Sequence, residues 1–104
     1  MSQHQIQIQS PNLGNVLVTV GYDPILNEAF LNYYNDQHQF MSDSGLRARE
    51  IQQVAQQQLG VSLPQQIVDG VQSDVADLRI GAQDVGRRVC RYESDGTLIS
   101  SVSW

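Results

Sequence analysis

Asp36, His38, Asp43 and Ser44 place an acid, a base and a hydroxyl in one short stretch. These are the groups that acid–base and nucleophilic catalysis use. They are also the ordinary occupants of loops and helix caps, and nothing in their spacing selects catalysis. His4 and His38 show no HExxH-type pairing, and Cys90 has no second cysteine to complete a ligand pair. Within an alternating segment, Cys90 reads as a small packed residue rather than a nucleophile. No GxSxG, P-loop or GxGxxG occurs. The expectation is a chain with no catalytic residues, no metal and no cofactor.

Binding chemistry is better represented. Arg87, Arg88 and Arg91 form the one positive cluster. Three guanidinium groups suit a phosphate or carboxylate ligand, so these are the candidate anion-binding residues. In a strand, Arg87 and Arg91 share one face and Arg88 takes the other. The plainer reading is charge that protects an edge strand from aggregation. Asp69, Asp74 and Asp77 read as an acidic ridge, either a solvated helix face or a docking surface for a basic partner. Tyr33, Tyr34 and Phe40, with Met41, supply aromatic and apolar material near a loop. Tyr33, Tyr34, Phe40, Asp69, Asp74 and Asp77 are the candidate partner-binding residues.

The elements that must position these groups follow from periodicity. Residues 3–9, Gln-His-Gln-Ile-Gln-Ile-Gln, alternate with period two and put Ile6 and Ile8 on one face. Turn formers fill 10–15, and Val16, Val18 and Val20 mark a second strand, so a hairpin is expected. Asp23-Pro24 has the form of an N-cap and first helical residue. The sequence therefore predicts a first helix through Tyr34, with an apolar arc of about 240°. Residues 35–44 read as a polar loop. A second helix is expected over about 44–59, with Ile51, Val54, Ala55 and Leu59 inward and Gly60 after its end. Gln58 falls among those apolar positions and so calls for a hydrogen bond.

Pro64 opens a third helix to about Arg79, with Ile67, Val68, Val71, Val75 and Leu78 inward. Asp69, Ser73, Asp74 and Asp77 are read as lying opposite. Gly70 costs a helix about 1 kcal/mol relative to alanine, and no packing need for it is apparent. A last pair of strands surrounds Asp95-Gly96, with Leu98, Val102 and Trp104 expected on one face. The predicted fold is α+β in the order ββαααββ, an antiparallel sheet of two hairpins with three helices on one face. Whether the hairpins join is left open by the pattern.

Two stretches resemble small bacterial proteins of unknown function. One is Val18-Thr19-Val20-Gly21-Tyr22-Asp23-Pro24-Ile25-Leu26 followed by Phe30; it is similar to their strand, aromatic-Asp-x-Pro-Leu and helix start. The other is Leu59-Gly60-Val61-Ser62-Leu63-Pro64 with Ile67, Val71 and Asp74. The resemblance implies a compact α+β domain and no particular activity.

Bulk composition narrows the partner. The chain has 104 residues, enough for one domain spanning 1–104, and its net charge is −5. That charge opposes binding to nucleic acid or anionic membrane. No apolar run is long enough to span a bilayer, no signal-peptide pattern opens the chain, and one cysteine makes no internal disulfide. A cytoplasmic protein is expected. It has 15 glutamines and no lysine; Gln5, Gln7, Gln9, Gln53, Gln56 and Gln57 read as uncharged surface positions. The leading expectation is a non-enzymatic protein-interaction module whose partner is another protein, a second copy included. An accessory factor fits, as does a mobile-element inhibitor of a host complex in the manner of anti-CRISPR proteins. The alternative is a small-molecule or phosphate-ligand-binding domain using Arg87, Arg88 and Arg91.

Overall fold

The computed structural model describes residues 2–34, 40–79 and 88–103, with side chains for all of these except 77–79, 88 and 103. The strands are β1 (Ser2–Ser10), β2 (Gly14–Asp23), β3 (Glu28–Tyr34), β4 (Phe40–Leu46), β5 (Arg88–Tyr92) and β6 (Leu98–Ser103). Between β4 and β5 come a 3-10 turn (Ala48–Glu50) and the helices α1 (Ile51–Leu59) and α2 (Gln65–Arg79). All six strands form one sheet in the order β4-β3-β2-β1-β5-β6. Strands β1 to β4 form an antiparallel meander, and β5 returns parallel to β1 before β6 closes antiparallel on β5.

This corrects the expected ββαααββ order, its third helix and its two separate antiparallel hairpins. The predicted first helix is absent; residues 24–27 form a turn and Glu28–Tyr34 is a strand. The Asp23 carboxylate does accept the backbone N–H groups of Ile25 and Leu26, as a helix cap does. Here those bonds close a hairpin turn, which Asn27 leaves with φ +53°. The broad apolar arc arises because the segment alternates: Ala29, Leu31 and Tyr33 are buried, with Glu28, Phe30, Asn32 and Tyr34 between them. Aromatic side chains favour a pleated surface, and β2 supplies a partner in register from Asp23↔Glu28 to Leu17↔Tyr34.

The expected polar loop ends in strand β4, which is mostly exposed. Its sequence, Phe-Met-Ser-Asp-Ser-Gly-Leu, has no regular alternation, so pairing with β3 decides its state. At the far edge a register shift between Arg91 and Tyr92 sets Leu98 opposite Tyr92. Leu98 therefore falls on the helix side of the sheet and Val102 on the other, not on one face as the simple alternation predicts. Each edge strand thus carries an irregularity of the kind that discourages further strand pairing.

Both helices lie on one side of the sheet. Ile51, Ala55 and Leu59 of α1 and Ile67, Val68 and Val71 of α2 pack against Ile6, Ile8, Val16, Val18, Val20, Leu31 and Tyr33. Gly60 ends α1 in the left-handed region at φ +76°, its N–H bonded to the Gln56 carbonyl. Gln58, the polar residue among apolar positions, donates to the Asp43 carboxylate on β4 at 2.5 Å.

Gly70 has a packing reason that its neighbours in sequence do not reveal. A Cβ there would lie 2.7 Å from Cε1 and 3.0 Å from Nδ1 of the buried His4 ring. Gly70→Ala should therefore destabilise the protein by about 1–3 kcal/mol. Helix propensity alone predicts the opposite sign, a gain of about 1 kcal/mol. Urea unfolding of the two proteins checks which effect wins.

Candidate functional site

Among the described residues, one face of the sheet carries no helix. Strand pairing arranges its side chains in rows. The middle row is Ser100, Arg91, Gln5, Thr19, Asn32 and Ser42, a band of hydrogen-bonding groups across all six strands. Ser42 donates to the Asn32 side-chain oxygen at 2.7 Å, which ties β4 to β3 on this surface. One row along, Leu17 lies beside Tyr34, and Tyr34 beside Phe40. The two rings are 5.2 Å apart at 52°, within the usual range for aromatic pairs. Leu17, Tyr34 and Phe40 are 44%, 50% and 53% exposed, so this apolar corner is presented to solvent.

The predicted partner-binding residues separate. Tyr34 and Phe40 meet on the open face, whereas Tyr33 is buried beneath the helices. Asp69 is exposed on α2 and accepts from the Gln65 amide. Asp74 is 1% exposed and faces inward, so it belongs to no solvated ridge. At 100° per residue it falls about 20° from Ile67, on the apolar side of α2. The Asp77 side chain lies outside the described residues, as do Asp36 and His38.

Of the arginine cluster, Arg87 is outside the described residues. The Arg88 side chain is outside them too, its backbone pairing with Ser2, and register places Arg91 opposite Gln5, on the open side. Strand β5 lies between β1 and β6, so edge protection does not explain these arginines. Cys90 is buried and 3.5 Å from the Ser101 hydroxyl.

Sequence reasoning missed the most organised polar group in the molecule. His4 Nε2 lies 2.6 Å from Asp74 Oδ2, and His4 Nδ1 lies 2.8 Å from the Tyr92 hydroxyl. His4 and Asp74 are both buried. With Nε2–H donating to Asp74, neutral His4 accepts the Tyr92 proton at Nδ1; doubly protonated His4 donates to both. The arrangement connects β1, α2 and β5. A Tyr–His–Asp chain of this kind can relay a proton. Its legible signals were the parity of His4 with Ile6 and Ile8, and the angle of Asp74 on its helix. His4→Leu should cost about 1–3 kcal/mol, because the imidazole's hydrogen bonds to Asp74 and Tyr92 are lost. A double-mutant cycle with Asp74→Leu, measured by urea unfolding, should show the two changes to be non-additive, as expected for residues in one hydrogen-bonded network.

An open groove of about 430 Å³ lies where the β5–β6 turn meets the α1–α2 linker. Ile8, Leu63 and Pro64 form its apolar side, and Ser94 and Asp95 its polar side. The backbone N–H of Thr97 bonds to the Asp95 carboxylate and holds it below the ordinary carboxyl range. Among the described residues no three His, Cys, Asp or Glu side chains gather to hold a metal, and no helix is long and apolar enough to cross a membrane.

Burial, with the Asp43 carboxylate as second cause, raises the Tyr33 phenol above its ordinary value of 10.0. The folded chain then keeps a proton that the unfolded chain releases, so stability should fall as pH rises through 10. Unfolding followed between pH 9 and 11 should show the fall, and Tyr33→Phe should remove part of it. Comparison with family models, with curated proteins and with solved structures finds no match to this chain.

Proposed function

We propose that the protein is a non-enzymatic protein-interaction module that docks another protein on its helix-free sheet face. The observation that carries this reading is the Leu17, Tyr34 and Phe40 corner, held exposed on paired strands. Rigid aromatic residues supply contact area at little entropic cost and are enriched at binding hot spots. The row of Gln5, Thr19, Asn32 and Ser42 beside them resembles the polar rim of an interface. Arg91 is the one charged residue in that row, and the paired Asp23 and Glu28 lie at the far end of the same face, so the Leu17, Tyr34 and Phe40 corner suits an uncharged patch of the partner. An accessory factor or an inhibitor that occupies a host complex acts by such docking and needs no catalytic group. The phosphate-binding alternative draws less support, because Arg91 is the one member of the arginine cluster that the described side chains place on this face.

The double variant Tyr34→Ser/Phe40→Ser tests the reading. Both side chains are about half exposed, so the melting temperature should hold. Capture of the partner from a native lysate should fall by about tenfold or more, as loss of a hot spot predicts. A wild-type chain that stays monomeric and captures nothing sinks the proposal.

A further inference from the structure

We infer that the tip of the β2–β3 hairpin is an insertion element, received by a partner protein in an apolar pocket bordered by a lysine or arginine. The inference rests on the protein-binding reading above and adds a second contact together with the chemistry of the partner. Ile25 and Leu26 at this tip are 89% and 63% exposed. Turns are normally built from Gly, Asn, Asp, Ser and Pro. Two adjacent aliphatic side chains held in water gain nothing from the core.

The tip is built to hold them there. Asp23 Oδ1 accepts from the N–H groups of Ile25 at 3.0 Å and Leu26 at 3.4 Å. The hydroxyl of the buried Tyr22 donates to Asn27 Oδ1 at 2.6 Å, which anchors the far side of the turn. Pro24 restricts φ at its start. A loop already in one conformation loses little entropy on binding, and preorganisation of this kind raises affinity.

Charge identifies the partner's side of the contact. Asp23 and Glu28 are directly opposite at the neck of the hairpin. Like charges in that position oppose pairing. Among the described residues neither carboxylate forms an ion pair. A cation from the partner would replace repulsion with charge-assisted hydrogen bonds. The same two acids, with a net charge of −5, disfavour insertion into an anionic lipid surface. The tip and the Leu17–Tyr34 pair lie at opposite ends of the β2–β3 ladder. Six steps of about 3.3 Å separate them by roughly 20 Å, so the two contacts can be tested independently.

The experiment places p-benzoylphenylalanine at position 26 of the full chain in its native host cells, followed by irradiation and mapping of the adducts by peptide mass spectrometry. The expected adduct is to a protein surface with apolar side chains and a lysine or arginine beside them. Adding Asp23→Asn and Glu28→Gln should lower its yield about tenfold. The Asp23→Asn change keeps the side-chain oxygen that closes the turn, and an unchanged melting temperature confirms that the variants fold. Adducts to lipid, to a second copy of the chain or to a site without a cation overturn the inference, as does no adduct at all. Should Ile25→Ser/Leu26→Ser leave capture intact while Tyr34→Ser/Phe40→Ser abolishes it, the tip inference fails and the module reading stands. Should neither change capture, both fail.

Discussion

The seam between β1 and β5 is the constraint on which the rest of the sheet depends. These strands are parallel, and parallel neighbours cannot be joined by a tight turn. The chain must therefore cross over a face of the sheet before β5 can run parallel to β1, and α1 and α2 lie on that face. His4 and Tyr92, 88 positions apart, meet across this seam, while Asp74 reaches it from α2. The pairing of β1 with β5 and the seating of α2 are therefore coupled through one imidazole. Gly70 belongs to the same contact, since a side chain there would strike the ring.

A buried pair of this kind is weak evidence of net stability, because desolvation offsets much of its attraction. Its larger effect is on specificity. A shift of β1 by one residue would expose Ile6 and Ile8, bury the glutamines and carry His4 away from Asp74. The hydrogen bond between Ser10 Oγ and the Leu59 carbonyl at 2.5 Å secures the other end of β1 to the end of α1. Among the described residues no buried side-chain nitrogen or oxygen lacks a hydrogen-bond partner.

Among the described residues the helices cover only one face of the sheet. They cover the valine, isoleucine and leucine side, so the opposite side carries the polar row and the exposed Leu17, Tyr34 and Phe40. Gln7 and Gln9 keep their end of β1 wetted without adding charge. On the helix-free face the charged positions that stand out are Arg91 in the polar row, and Asp23 with Glu28 at the hairpin neck.

Local pattern in the sequence determined β1, β2 and the inward faces of α1 and α2, because alternation and helical spacing report directly on which side chains leave water. Cap and turn chemistry determined the end of α1 at Gly60 and the bonds made by Asp23. Tertiary structure alone decided the state of residues 24–34 and of β4. The Asp23 cap begins a helix or closes a turn with the same bonds, and an apolar run rich in aromatics fits either period until β2 offers an edge. It alone also gathered His4, Asp74 and Tyr92. Those outcomes depend on pairing between distant strands, and strand pairing has no local periodicity from which to read the partner.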